Sequence, residues 1–206
     1  MDIIKDPGQI ERTSMSIIEQ SLPDLKNFPS VERDIVKRVI HTTGDLGCIY
    51  LVNISPGAVE AGLDAIRKGF SVLTDVNMLK SGLISGRMDK FGVRSHCLIS
   101  DPEVVLEARE NGLTRAMVAM KRGAAMADNG IIAVGNAPTA LFELCRMIRD
   151  KEAHPALVVG TPVGFVGAAE SKEMLMETGV PYITMPGTRG GSTVAASIVN
   201  ALLLQA

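Results

Sequence analysis

Three histidines occur in the 206-residue chain, and their settings separate one from the other two. His41 stands in RVIHTTGD, in the last turn of a segment where Val31, Ile35, Val36, Val39 and Ile40 recur at helical spacing. It projects roughly 170° from that apolar stripe, which excludes a place in the core. Two readings remain, a solvated polar face and a proton donor. The negative end of the helix favours imidazolium by about 0.3–1 kcal/mol, and Lys37, one turn back, opposes this. A donor here needs a ligand or a second subunit to cover its face. His96, in the apolar run VRSHCLIS, reads as a core or wall residue, and His154 precedes Pro155 in a loop. No Ser-His-Asp or Cys-His arrangement is legible from spacing. Without clustered His, Cys and carboxylates, no protein-borne metal site is expected.

Anion-binding chemistry has three candidate stretches. MPGTRGGSTVAAS sets Arg189, Gly190, Gly191 and Ser192 just before a small-residue helix. Free N–H groups there, the helix dipole and the guanidinium could seat a carboxylate or phosphate. A tight turn that lets the helix pack closely explains the glycines equally well, and the loop is neither a dinucleotide fingerprint nor a Walker A loop. In GNAPTALFEL, Asn136 could hydrogen-bond a polar ligand or simply cap the next helix. In TRAMVAMKRG, Arg115 and Arg122 are seven apart and share a helix face, with Lys121 beside them. That cluster could receive several carboxylates or be merely solvated.

These residues need a scaffold, and composition limits which. With 46% hydrophobic and 3% aromatic residues, 11 Met and no Trp, the core must be built from aliphatic side chains, which suits an α/β domain. Mean hydropathy is +0.21. One domain spanning residues 1–206 is expected from the length and the absence of any linker. A net charge of −2 argues against nucleic acid as a partner. Cys48, Cys97 and Cys145 are widely spaced and read as reduced thiols. No stretch of about 18 apolar residues appears, so no membrane span is expected. The N-terminal residues lack a secretory pattern, and the expected location is the cytoplasm.

Helices are predicted over about 7–21, 30–42, 56–69, 102–111, 114–127, 137–151, 168–178 and 191–204. The apolar runs FSVLTD, VRSHCLIS, IIAVGN, ALVVGT and YITMPG alternate with them as strands, with IYLVNI a weaker sixth. Such alternation implies a three-layer fold, a parallel sheet with helices on both faces. Ligand-binding residues then belong in the loops after the strands: TDVNMLKSG, GNAPTA, GTPVGFVGAAESK and MPGTRGGS.

Across essentially its whole length the chain resembles the precorrin-8X and cobalt-precorrin-8 methylmutases. The resemblance runs through DPGQIERTS, RVIHTTGD, TDVNMLKSG and TRAMVAMK, and is closest at GNAPTAL and PVGFVGAAESK. It implies a flavodoxin-like fold, a homodimer with sites near the subunit interface, and an isomerase of cobalamin (vitamin B12) biosynthesis. That reaction moves a methyl group from carbon 11 to carbon 12 of the macrocycle, a 1,5-sigmatropic shift giving hydrogenobyrinate or its cobalt form. No cofactor is implied. By resemblance, His41 protonates or hydrogen-bonds the ring C nitrogen, Ser14 contacts the substrate, and Arg115 and Lys121 lie near it. A tetrapyrrole bearing many carboxylates suits scattered basic groups and N–H donors over an apolar cleft. Arg115, Arg189 and residues 190–192 could meet carboxylates, and Val163, Phe165 and Val166 could line the ring. Thr188 stands where an Arg often follows the first Gly of the last loop in the family, with Arg189 next. The rivals on the residues alone are a tetrapyrrole carrier without turnover and a phosphate-ligand binder.

Overall fold

Asp6 accepts hydrogen bonds from the N–H groups of Gly8 and Gln9, and Pro7 opens the first helix, α1 (Pro7–Ser21). In the computed structural model, which describes residues 3–206, a 3₁₀ turn leads to α2 (Ser30–Thr43). Gly44, in the left-handed region at φ 66°, ends α2 by returning its N–H to the Ile40 carbonyl. After a 3₁₀ turn over Leu46–Tyr50 come β1 (Asn53–Ile54), α3 (Ala58–Arg67) and β2 (Val72–Thr74). Then follow α4 (Asn77–Ser81), α5 (Ser85–Phe91), β3 (Ser95–His96), α6 (Pro102–Glu110), α7 (Arg115–Gly123) and β4 (Ile131–Val134). The chain closes with α8 (Pro138–Arg149), β5 (Leu157–Gly160), α9 (Ala168–Met176), β6 (Tyr182–Thr184) and α10 (Ser192–Gln205).

The sheet order is β1-β6-β5-β4-β2-β3. Counted from β2, the five parallel strands run 2-1-3-4-5, the flavodoxin-like order expected of the chain. Helices α2, α3, α5 and α10 share the core on one face of the sheet, and α7, α8 and α9 share the core on the other.

Three expectations change. IYLVNI supplies a strand only at Asn53–Ile54, and that strand runs antiparallel to β6, so the sheet is not wholly parallel. The shortness of β1 has a local cause: the Asp45 carboxylate caps the 3₁₀ turn by accepting from the Gly47 N–H, and that turn takes Ile49 and Tyr50 out of the run. VRSHCLIS contributes only Ser95–His96, an edge strand kept short. The loop expected at TDVNMLKSG folds into α4, with α5 following it.

α10 is the apolar helix on which the α2 face is assembled. Ten of its residues are buried, and α2 lies along it with Asp34 meeting Gln205 at its far end. Its start comes close to the strand ends because Gly135 has no side chain: a Cβ there would lie 2.7 Å from Ser192 Cα. Backbone cannot step aside as a side-chain tip can. Gly135→Ala should therefore lower unfolding stability by about 1–3 kcal/mol, read as a fall in the urea midpoint at unchanged slope. Gly86→Ala in α5, where an added Cβ meets nothing within 4 Å, should leave stability unchanged or slightly raised.

Candidate active site

Two ion pairs hold α1 against α2. Lys37 Nζ donates to Glu19 Oε1 at 2.7 Å, and Arg38 Nη2 donates to Glu11 Oε1 at 2.9 Å. Between them Ser14 is brought opposite His41. With Ile17, Ile18, Ile40, Gly44 and Leu46, these two side chains line an open cleft of 230 Å³. The His41 ring is exposed and has no hydrogen-bond partner among the described residues. Lys37 also contacts Asp34 at 3.1 Å, so two carboxylates neutralise the ammonium that was expected to oppose a charged imidazole.

A second cleft, of 210 Å³, opens just past the end of α2. Thr43, Asp45, Cys48, Val163, Met185, Arg189 and Gly190 are among its walls. α2 and the carboxyl ends of β5 and β6 thus form one rim, with His41 on one side and the last loop on the other. The Arg189 guanidinium donates to the Asp45 carboxylate across this cleft. The Gly47 N–H and then Arg189 hold that carboxyl below the usual carboxylate range. Within α10's first turn, Ser192, Thr193 and Val194 have no carbonyl one turn back to receive their N–H groups, and Gly191 caps the helix without a side chain.

Arg115 and Lys121 do not join this rim within one chain. They sit on α7, across the sheet from His41. Lys121 faces a 380 Å³ cleft with Glu143, Arg146 and Glu152. Thr114 caps α7 and donates to Thr139 at the start of α8, which brings the exposed Arg115 to the carboxyl side of the sheet. Arg122, read as Arg115's companion, is already committed: its Nε donates to Glu107 at 2.6 Å and its Nη1 to Glu103. His96 is half-buried at the β3 edge, and burial together with Lys80 and Arg94 pushes its imidazole below its ordinary value.

The switch point between β2 and β4, where a flavodoxin-like fold binds ligands, is filled from within. Asp75, 2% exposed, accepts from the N–H groups of Gly135 (3.0 Å), Asn136 (2.8 Å) and Ala137 (2.8 Å). Burial raises its carboxyl above the ordinary value, against the pull of those N–H groups. Asn136 therefore spends its N–H on Asp75 and keeps only an exposed side chain for a ligand.

Two residues on this side of the sheet were not singled out from the sequence. Asp75 ends the strand FSVLTD, a polar residue where the apolar run meets its loop. Lys172 was legible in principle, since Ala168, Ser171, Lys172 and Leu175 form the buried face of α9 at helical spacing. Its side chain is wholly buried, and Nζ donates to the Arg189 carbonyl at 2.8 Å.

These features define a flavodoxin-like α/β protein with an uncovered histidine in one open cleft and, along the neighbouring rim, N–H groups without protein acceptors among the described residues. The family model of precorrin-8X methylmutase matches residues 9–205. The chain is 44% identical over 200 residues to a cobalt-precorrin-8 methylmutase from Priestia megaterium, covering 97% of this chain and 88% of the relative. It is 39% identical to a precorrin-8X methylmutase from Pseudomonas aeruginosa, covering 98% and 97%. A solved precorrin-8X methylmutase from Thermus thermophilus superposes with a TM-score of 0.85 at 40% identity, covering 95% of this chain and 96% of that one. The chain belongs to the precorrin-8X methylmutase family.

Burial alone pushes the Lys172 amine down to about 8 from 10.5. Below about pH 8 the folded chain carries the full penalty of a buried ammonium. Between 8 and 10.5 the folded state sheds that proton before the unfolded chain does, so the unfolded state binds more protons and stability rises with pH. The unfolding free energy of the wild type minus that of Lys172→Met should therefore increase from pH about 7 to about 10, as read by urea titration at each pH.

Proposed function

We propose that this protein is a methylmutase that moves a methyl group from carbon 11 to carbon 12 of a precorrin-8 type macrocycle, metal-free or cobalt-containing, in cobalamin biosynthesis. Membership of the family supports the reaction. The observation that carries the catalytic assignment is His41, exposed in a cleft beside Ser14 and free of any protein partner among the described residues. A histidine with no internal partner has its ring nitrogens available to a ligand.

In this reading the macrocycle covers His41, which donates a hydrogen bond or proton to the ring C nitrogen. Electron density is drawn from the migrating system while the 1,5-shift breaks the bond to carbon 11 and forms the bond to carbon 12. The proton returns to the imidazole as the product forms, so the product is an isomer of the substrate. The protein supplies this acid and holds the ring still. Ser14 contacts the substrate beside His41. Val163, Phe165 and Val166, all exposed, offer apolar surface to the ring. Arg189 and the N–H groups of Gly190 and Ser192 serve its carboxylates, whereas the Gly191 N–H, expected to join them, is spent on the Thr161 carbonyl at 2.8 Å. Asn136 adds a polar contact through its side chain.

Arg115 and Lys121 enter through a homodimer, which brings α7 of one protomer toward the cleft of the other. Ile10, Ile17, Leu46, Tyr50, Phe165 and Val166 are large apolar side chains left exposed by one chain, the surface a second copy and the macrocycle would share. The whole chain acts as one domain and works in the cytoplasm. Among the described residues no helix is long and apolar enough to cross a membrane.

Anaerobic incubation with metal-free and cobalt-containing precorrin-8, followed by absorption spectra and product identification, tests the reaction. A shifted spectrum and the methyl-migrated product are expected. Coloured ligand that stays bound with an unchanged spectrum would overturn it. His41→Ala should lower kcat by about 10²–10⁴-fold with a small change in KM, and full activity in that variant would remove the proton-donor role. Light scattering should give twice the chain mass.

A further inference from the structure

Lys172 is the largest polar side chain with no exposed surface, and nothing in the reaction proposed above requires a lysine there. Its ammonium carries three donors, and the one acceptor it meets among the described residues is the Arg189 carbonyl at 2.8 Å. Taking a charge out of water for a single neutral acceptor is expensive, so the bond must do something an aliphatic side chain in the same place would not.

The peptide plane explains what. Every peptide bond among the described residues is trans, so the C=O of Arg189 and the N–H of Gly190 point in opposite directions. Lys172 draws that carbonyl inward beneath the last loop, and the Gly190 N–H is turned the other way. That N–H meets no acceptor among the described residues, and Gly190 lines the cleft that Asp45, Val163 and Arg189 also line. The remainder of the loop is pinned as well: Gly191 N–H donates to the Thr161 carbonyl at 2.8 Å and Gly164 N–H to the Thr188 carbonyl at 3.1 Å. Gly190 itself has φ 152°, and a Cβ on it would lie 2.2 Å from the Thr161 oxygen, so no other residue could take this position.

We propose that Lys172 is a positioning residue, which fixes the Arg189–Gly190 peptide plane so that the Gly190 N–H faces the cleft as a donor to a carboxylate of the macrocycle. The inference rests on the function proposed above. It adds to that function a buried residue that acts on the substrate only through the loop. The amine pushed down by burial to about 8 remains mostly protonated near neutrality, where a charged donor holds the carbonyl best.

The test compares the wild type with Lys172→Met, which fills similar space without a donor, and Lys172→Arg, which restores one. Circular dichroism first establishes that each variant is folded. In Lys172→Met, KM for the macrocycle should rise roughly tenfold with kcat within about threefold, the loss expected when one hydrogen bond to a charged group is removed from binding. Competition by the product with free carboxylates, compared with its methyl ester, gives a readout that a merely structural role would not move. The wild type should favour the acid, Lys172→Met should lose about tenfold of that preference, and Lys172→Arg should recover part of the loss. Hydrogen exchange over residues 186–191 should quicken in Lys172→Met while α8 peptides stay unchanged. Unchanged exchange together with unchanged KM and acid preference would overturn the proposal. A wild type without turnover would defeat the proposed reaction instead. Exchange then decides the loop by itself, with faster exchange in Lys172→Met upholding Lys172's role and unchanged exchange overturning it.

Discussion

The close approach of α10 to the strand ends is the constraint on which the site depends. At Gly135 the β4 end meets Ser192 backbone, and at Gly190 the last loop meets the Thr161 carbonyl. Both contacts are backbone against side-chain-free positions, shorter than any Cβ would allow. Seated this way, α10 is buried over most of its length and becomes the surface on which α2 lies. The antiparallel run of α2 along α10 then carries His41 to the carboxyl side of the sheet, where the last loop is.

A carboxylate that belongs to the protein occupies the switch point, where such folds usually bind a ligand. Asp75 takes the three N–H groups that open the β4–α8 turn, so the switch point is closed and rigid. The open surface is displaced toward β5 and β6, where Gly190 and the first turn of α10 keep unspent N–H groups. Backbone N–H groups are handled in two ways along one rim, spent on an internal carboxylate at Asp75 to hold the fold and left without a protein acceptor among the described residues at Gly190 and the start of α10. Charge is handled in the same way on the helices. Lys37 is consumed by Glu19 of α1 and Asp34 of its own helix, and Arg122 by two carboxylates of α6, whereas His41 and Arg115 are left exposed.

Much of this was legible along the chain. Periodicity located nearly every helix to within a few residues, because caps such as Asp6, Asp101 and Thr114 and stops such as Gly44 are local chemistry. The stripe of α2 placed His41 off the core, as found. Edges were harder to read. A two-residue strand at β1 or β3 has too little length for period-two alternation, and its direction depends on a partner far away in sequence. α4 and α5 were missed because each is too short to show a full apolar face.

Sequence alone determined the local rules: which segments coil, where they stop, which side of α2 the histidine takes, and, through whole-chain resemblance, the family. Tertiary structure decided everything that turns on distance between remote segments. It brought Ser14 to His41 through ion pairs between two helices, and it set Arg189 against Asp45. It also put Arg115 and Lys121 across the sheet and placed the buried Lys172 beneath a carbonyl 17 residues away. Periodicity reports which face of an element is buried but not what that face is buried against. A buried charge takes its meaning from its partner, and only the packed chain supplies one.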